Sequence, residues 1–176
     1  QKIDLNNAFE IQYDAYFGNI DLDGADGIVF ALHTDTSTYT GNVMNGTAIG
    51  YGNVKPSIGI EFDTYANFPF DPAYDHIAIE KDGDVDQNST NNLVKPVQAS
   101  ATSINIEDGL WHRIRVTWDP AAKLIQVYFD CKLRTSYTGD IINTIFSGKT
   151  DVYWGFTSAT GGSYNFHRVC MLYIDE

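Results

Sequence analysis

The chain has 176 residues, 23 of them acidic against 11 Lys and Arg, and a formal net charge of −12. That is one domain of ordinary size with room for a sizeable core. The charge argues against nucleic acid and anionic membrane surfaces as partners, because both need a basic footprint, and no apolar run is long enough to span a bilayer.

Aromatic residues make up 14% of the chain, and the apolar runs are rich in β-branched residues, a composition that reads as all-β. The chain opens directly on Gln1-Lys2-Ile3-Asp4 with no signal peptide, as a piece cut from a longer precursor would. Phe9 to Phe17 alternates strictly and predicts a half-buried strand ended by Gly18. Asp21 to Gly27 is an acidic, Gly-rich loop in which Asp21 and Asp23 read as a solvated turn, and Ile28 to Leu32 is a strongly apolar strand. His33 to Met44 is polar and loop-like, followed by turn signals at Asn45-Gly46-Thr47 and Gly50-Tyr51-Gly52.

The stretch Glu61 to His76 carries the chemistry. Ser57 to Ile60 leads into it as a strand, so Glu61, Asp63, Tyr65 and Asn67 share one face while Ile60 and Phe62 face a core. Two carboxylates on one face repel, and burying them unpaired is costly. Asp71-Pro72 turns the chain, and Asp75 to Ile79 returns as a strand, which can bring Asp71 and His76 beside Glu61 and Asp63. Oxygen ligands suit Ca²⁺; an added imidazole suits a transition ion such as Mn²⁺. The plain alternative is a solvated acidic hairpin.

Lys81 to Asp86 has the alternating acids of an EF-hand opening but lacks its glycine, and Leu93 stands where the closing Glu belongs, so it reads as a hairpin turn. Trp111 to Trp118 predicts a strand with Ile114, Val116 and Trp118 on one face, and Leu124 to Phe129 its antiparallel return. Asp140 to Phe146 is the one helical turn expected, followed by strands at Val152 to Thr157 and Phe166 to Ile174 around a flexible loop, Thr160 to Asn165. Many strands, turns between them and almost no helix predict a β-sandwich or jelly roll.

Cys131 and Cys170 both fall on core faces when alternation is extended through their strands. A disulfide between them, if the strands are neighbours, or two buried free thiols are the readings; the bond would imply an extracellular setting. His33 and His112 read as packed or capping residues rather than ligands, His167 follows the loop and reads as packed, with contact to a ligand the lesser alternative, and Trp111, Trp118 and Trp154 read as core. Asn88-Ser89-Thr90 and Asn45-Gly46-Thr47 match the glycosylation pattern, which carries no meaning in a bacterial chain.

These residues resemble a family. Gly24-Ala25-Asp26-Gly27-Ile28-Val29-Phe30, the block from Ile60 through His76-Ile77, Asp108-Gly109-Leu110-Trp111-His112, and Gly155 to Gly162 are similar to the L-type (legume-type) lectins with the concanavalin A-like jelly roll, in the form found in bacterial surface and secreted proteins. The resemblance implies one lectin domain over 1–176, excised from a longer secreted or surface protein, with strands of the family's front edge lying before Ile3. It implies Ca²⁺ held by Asp63, the Tyr65 carbonyl, Asn67 and Asp71, and a second, Mn²⁺-like ion held by Glu61, Asp63, Asp71 and His76. Asp75 is the alternative to Asp71, but as His76's strand neighbour it should point away. It also implies a cis peptide before Asp26 and a sugar site of Asp26, Gly46, Thr47, Tyr65, Asn67, Gly161, Gly162, Ser163, Tyr164 and Asn165. Thr47 departs from the second Gly of legume lectins, though a backbone donor survives the change.

A fixed carboxylate and amide can read adjacent sugar hydroxyls while an aromatic ring covers the sugar's apolar face. The expected function is therefore a Ca²⁺-dependent carbohydrate-binding module, adhesive or glycan-capturing, located outside the cell or on its surface, with glycans as partners and no catalysis. A metal-stabilised structural or protein-binding spacer is the alternative. A glycoside hydrolase of laminarinase-like fold is disfavoured, since Glu61 and Asp63 match its first two acids but Tyr65 stands where the third belongs.

Overall fold

The computed structural model describes residues 1–34 and 46–176. The loop expected over 35–44, and Asn45 of the turn that follows, lie outside the described residues. In chain order the strands are β1 (Lys2–Asp4), β2 (Phe9–Tyr16), β3 (Gly27–His33), β4 (Ser57–Asp63), β5 (His76–Lys81), β6 (Asn92–Gln98), β7 (Trp111–Asp119), β8 (Leu124–Phe129), β9 (Lys132–Thr138), β10 (Asp151–Ala159) and β11 (Arg168–Asp175). A short helix, α1 (Ile141–Thr144), starts at Asp140, whose side chain accepts from the Asn143 backbone N–H at 3.2 Å.

The strands form two antiparallel sheets. The six-stranded sheet runs β1-β10-β3-β4-β5-β6 and the five-stranded sheet β11-β2-β7-β8-β9. This is the all-β sandwich expected from the sequence. Strict alternation in β2 buries Phe9, Ile11, Tyr13 and Ala15, and they meet Phe30, Ile60, Phe62, Ile77 and Ile79 of the other sheet in one core. Phe17, Phe62 and Phe129 pack their rings at 5.8–6.4 Å at one end of it, and Trp118 donates its indole N–H to the Leu5 carbonyl at 2.9 Å.

β3 and β4 are buried on both faces. Their inner residues enter the main core. Their outer face is covered by a second apolar cluster in which Ile49, Tyr51 and Val54 lie on Val29 and Ala31. Glu61 opposes Val29 and Asp63 opposes Gly27 in the β3–β4 register, so both acids continue this outer face, and both are buried. The connection from β5 to β6 is pressed against the same cover. A side chain at Gly83, where φ is +68°, would meet the Asn53 and Val54 backbone nitrogens at 2.5 Å, which restricts the position to glycine. That connection is the hairpin turn read from the sequence.

Two sequence expectations are corrected. Trp111 is 48% exposed, not core. It stands an odd number of residues from the buried Trp118, so alternation puts the two on opposite faces, and Trp111 lies over Tyr16 at 5.6 Å. Cys131 and Cys170 are free and exposed, so neither the disulfide nor the two buried thiols holds. Cys131 lies past the end of β8 with φ +64°, in a turn where alternation no longer applies. In β11 an irregularity between Met171 and Tyr173 shifts the register, so Cys170 opposes the outward Asp14 although Ile174 opposes the inward Ile11. β2, β7 and β8 separate the β11 edge from the turn that holds Cys131, a distance of roughly 14 Å or more at strand spacing, beyond what a disulfide spans. Two thiols per chain are therefore expected to react with a thiol reagent on the native protein, and reductant to leave the melting temperature unchanged. Absence of any native reaction would restore the bond.

Candidate functional site

The β4–β5 register puts Asp63 directly opposite His76, and Glu61 two residues away opposite Ala78. Ligand atoms of Glu61, Asp63 and His76 lie within 4.8 Å of one another, and all three residues are buried. Oε1 of Glu61 and Nε2 of His76 have no hydrogen-bond partner among the described residues. Nε2 of His76 lies 3.7 Å from Glu61 Oε2. Buried polar atoms without partners are uncommon in a folded interior, and two of them in one buried group with Asp63 fit a bound cation.

The loop after β4 curls back over this cluster. Asp63 Oδ1 accepts the Tyr65 N–H at 2.7 Å, Asp71 Oδ2 accepts the Asn67 N–H at 2.7 Å, and Phe70 N–H closes a turn onto the Asn67 carbonyl at 2.9 Å. These bonds fold the loop on itself and leave Asp71 near enough for its charge to act on Asp63, but among the described residues the gathered ligand group is Glu61, Asp63 and His76, without the expected Asp71. Asp75 is used otherwise: its carboxylate accepts the Ile106 N–H at 2.6 Å, and its backbone binds Ile104 and Ala99.

The electrostatics follow from burial. The Asp63 carboxyl is pushed well above its ordinary value by burial, and then by the charges of Glu61 and Asp71. Burial raises Asp71 to about 6. Glu80, which alternation puts on the same face of β5 as His76, is a further buried carboxylate, held well up by burial and then by Glu61. The sequence reading did not single it out, although its period-two spacing from His76 was legible. Gln87, which donates to both Glu61 and Glu80, was also missed; no local pattern marks a loop residue that turns inward.

Asp26 sits beside the cluster. The Ala25–Asp26 peptide is cis. The Asp26 N–H donates to the Ala159 carbonyl at 3.1 Å, and its carbonyl accepts the Thr64 N–H at 3.0 Å. A Cβ on the next residue, Gly27 (φ +144°), would fall 2.1 Å from the Phe62 carbonyl oxygen, so only glycine lets the chain approach β4 this closely. The Asp26 side chain is 5% exposed, its Oδ2 has no partner among the described residues, and burial raises its carboxyl to about 6.

A cleft of ≈ 500 Å³ lies between Thr47, the loop 65–71, and Val85 and Asp86; Asp26, Glu61, Asp63 and His76 are not in its lining. Gly46 opens a 3₁₀ turn, Gly46–Ala48, and its Cα lies 3.7 Å from where a Cβ on Gly161 would stand. Gly161 donates to the Ser163 carbonyl at 3.0 Å, and Tyr164 is 60% exposed. Asn165, expected in the wall of the sugar site, is instead turned inward. Its amide donates to the Ile20 carbonyl at 3.0 Å and to Glu107 Oε1 at 2.7 Å, and its Oδ1 accepts the Asn19 N–H at 3.2 Å. The two glycines at 18 and 24 leave space for it. His112 is packed as expected, between Asp130 (2.9 Å) and Asp108 (3.2 Å) and against Phe129, and His33 stacks on Tyr153. His167 bonds Ser158 Oγ through Nδ1 at 2.9 Å.

A family model described as the legume lectin β-barrel domain matches residues 1–173. The chain is 27% identical over 199 residues to the pesticidal crystal protein Cry22Aa of Bacillus thuringiensis, covering 98% of this chain and 27% of that protein. It is 31% identical over 111 residues to the galactose-binding lectin of Arachis hypogaea, covering 61% of this chain and 36% of that lectin. Among solved structures, basic winged bean lectin with Tn-antigen superposes with a TM-score of 0.73 at 19% identity, over 97% of this chain and 74% of that one. The Bauhinia forficata lectin in complex with GalNAc gives 0.73 at 20% identity with the same coverage. At these identities the two structures speak to the fold. The chain spans about a third or less of the length of the two protein relatives. The match over 1–173 is what carries the assignment: the chain belongs to the legume lectin (L-type lectin) family of carbohydrate-binding domains.

Proposed function

We propose that this domain is a metal-dependent glycan-binding module in which Asp26 receives sugar hydroxyls beside a two-ion cluster. The observation that carries the reading is the Asp26 carboxylate, fixed at its backbone by Ala159 and Thr64 and lacking any partner for Oδ2 next to the Glu61-Asp63-His76 group. Asp63, the Tyr65 carbonyl, Asn67 and Asp71 would hold Ca²⁺, while Glu61, Asp63, Asp71 and His76 would hold a transition ion such as Mn²⁺. The ions would neutralise the packed carboxylates and fix the 64–71 loop. The protein groups do the recognition: Asp26 accepts hydroxyls, Asn67 donates its amide, Thr47 and Gly46 offer a backbone donor, and the Tyr65 or Tyr164 ring covers an apolar sugar face. Gly161, Gly162 and Ser163 form the wall on which specificity depends.

The module binds without turnover, as a lectin family member in which Tyr65 occupies the place of a hydrolase's second Glu. It acts outside the cell or on its surface, as one part of a longer protein; the Bacillus thuringiensis relative is a precedent for such a domain within a longer chain. Shallow sugar sites are weak singly, so multivalent display raises the avidity of an adhesive or glycan-capturing protein.

The test is a glycan array in Ca²⁺ and Mn²⁺, repeated after EDTA. Galactose- and GalNAc-terminated glycans are the first probes, because the Arachis relative is named for galactose and the Bauhinia lectin is in complex with GalNAc. Binding that disappears with EDTA is expected. Silence from folded, metal-loaded protein would overturn the reading in favour of a structural or protein-binding spacer. Release of sugar from β-glucans would overturn it in favour of a hydrolase.

A further inference from the structure

Gln87 lies in the connection between β5 and β6 and is 3% exposed. Its amide nitrogen donates to Glu61 Oε2 at 2.6 Å and to Glu80 Oε1 at 2.8 Å. An amide nitrogen carries two protons, and both are directed at carboxylates, with only a longer approach to the Val85 carbonyl at 3.3 Å. The amide cannot turn over without loss, because its oxygen accepts from Asn92 Nδ2 at 2.5 Å. The Gln87 backbone is held as well: its carbonyl accepts from Lys95 Nζ at 2.9 Å. The side chain is thus oriented at one end and presents a fixed donor pair at the other.

Two consequences follow. Glu61 Oε2 both accepts from Gln87 and lies 3.7 Å from His76 Nε2, so Gln87 holds the orientation in which this carboxylate faces its partner in the cluster. And Gln87 follows directly on Val85 and Asp86, which line the cleft opposite Asn67 and Asp71. A group that grips the carboxylate of an ion site and is joined through the backbone to the wall of the adjacent cleft links the two.

We propose that Gln87 is a positioning residue that couples occupation of the Glu61-Asp63-His76 cluster to the order of the loop 82–91, and through it to the Val85-Asp86 wall of the cleft. Without an ion, the Gln87 donors hold carboxylates that repel each other. With an ion, Glu61 is fixed from both sides, and the loop is fixed with it. Groups of this kind around metal ligands typically change affinity by about 10–100-fold when lost. The proposal rests on the metal-dependent reading given above.

The experiment compares wild type with Gln87→Met, which keeps length and volume but has no donor, and with Asn92→Leu, which removes only the group that orients the amide. Mn²⁺ binding is measured by calorimetry and by the electron paramagnetic resonance of the bound ion. Hydrogen exchange across 82–91 is followed with Mn²⁺ and Ca²⁺ and after EDTA. Wild type should gain protection in this loop on loading. Gln87→Met should bind Mn²⁺ about tenfold to a hundredfold more weakly and show loop exchange that no longer responds to ions, with Asn92→Leu changing both readings in the same direction by less. If Gln87→Met keeps wild-type Mn²⁺ affinity and ion-dependent protection, the proposal is wrong. It is equally wrong if the variant melts lower by the same amount in both states with affinity unchanged, since that is a packing role. If wild type itself binds no ion, the metal-dependent reading fails and the coupling with it. Should Gln87→Met not fold, unchanged affinity and loop response in Asn92→Leu overturn the proposal.

Discussion

Replacing Asp26 with Asn is expected to weaken glycan binding by about 100-fold or more while leaving the domain folded and metal-loaded. The substitution keeps size and shape, and the backbone bonds to Ala159 and Thr64 do not involve the side chain. What changes is hydrogen-bonding sense: a carboxylate accepts on both oxygens, whereas Asn offers a donor where Oδ2 stood. Two charge-assisted bonds to hydroxyls at about 1.5–3 kcal/mol each amount to at least about 3 kcal/mol, which is roughly 100-fold in affinity. The fold should not suffer, because the wild-type residue buries an oxygen with no partner. At pH 7 the Asn variant should melt at the same temperature or slightly higher. The acid also sets a pH limit. Burial raises the Asp26 carboxyl to about 6 in the ion-free chain, and ions beside it favour the charged form. Glycan affinity should therefore hold at neutral pH and fall once acid protonates Asp26. Calorimetry with the best array ligand, alongside thermal melts, reads both quantities. Unchanged affinity in a folded, metal-loaded Asn variant would remove Asp26 from the site.

The sandwich and the acidic cluster were legible in the sequence because both rest on period-two alternation. That period set Glu61 and Asp63 on one face and Ile60 and Phe62 on the other, and the register between β4 and β5 then brought His76 opposite Asp63. The same rule, carried past where strands obey it, produced the errors. The irregularity at Met171 to Tyr173 turned Cys170 outward, and the positive-φ turn at Cys131 ended alternation one residue after Phe129. Asn165 shows a different limit. Its place next to a loop of Gly and Ser suggested a surface residue, but the partners that draw it inward, Ile20 and Glu107, lie far away in the chain. Gln87 was illegible for the same reason. Polar loop residues have no periodicity, so only the packed structure tells which of them face in.

Stripping the ions should lower the melting temperature at pH 7.5 by about 8–16 °C, taking about 4 kcal/mol for an ion present at a thousand times its Kd and about 2–4 °C per kcal/mol for a domain of this size. The loss should be much smaller near pH 5, for a reason that lies in the cluster. Burial raises Asp71 to about 6 and pushes Asp63 and Glu80 well above their ordinary range, with neighbouring carboxylates adding to the effect. In the unfolded chain the same groups titrate at about 4. A folded-state pKa above the unfolded one means that the metal-free fold binds more protons than the unfolded chain. Its stabilising contribution is complete below about 4 and is lost as pH rises through about 6 for Asp71 and through the raised ranges of Asp63 and Glu80. Protons thus stand in for cations at low pH and leave at neutral pH, where the packed carboxylates repel unless an ion replaces them. Glu107, raised to about 8 by burial and lying outside the ion ligands, lowers stability with rising pH whether or not ions are bound. The informative quantity is therefore the difference between the two melting curves. Melts from pH 5 to 8 with Ca²⁺ and Mn²⁺, and again in EDTA, should diverge steadily as pH rises. Superimposable curves at pH 7.5 would mean that Glu61, Asp63, Asp71 and His76 do not hold an ion, and a metal-free melting temperature that climbs between pH 5 and 8 would overturn the proton-for-cation account of the cluster.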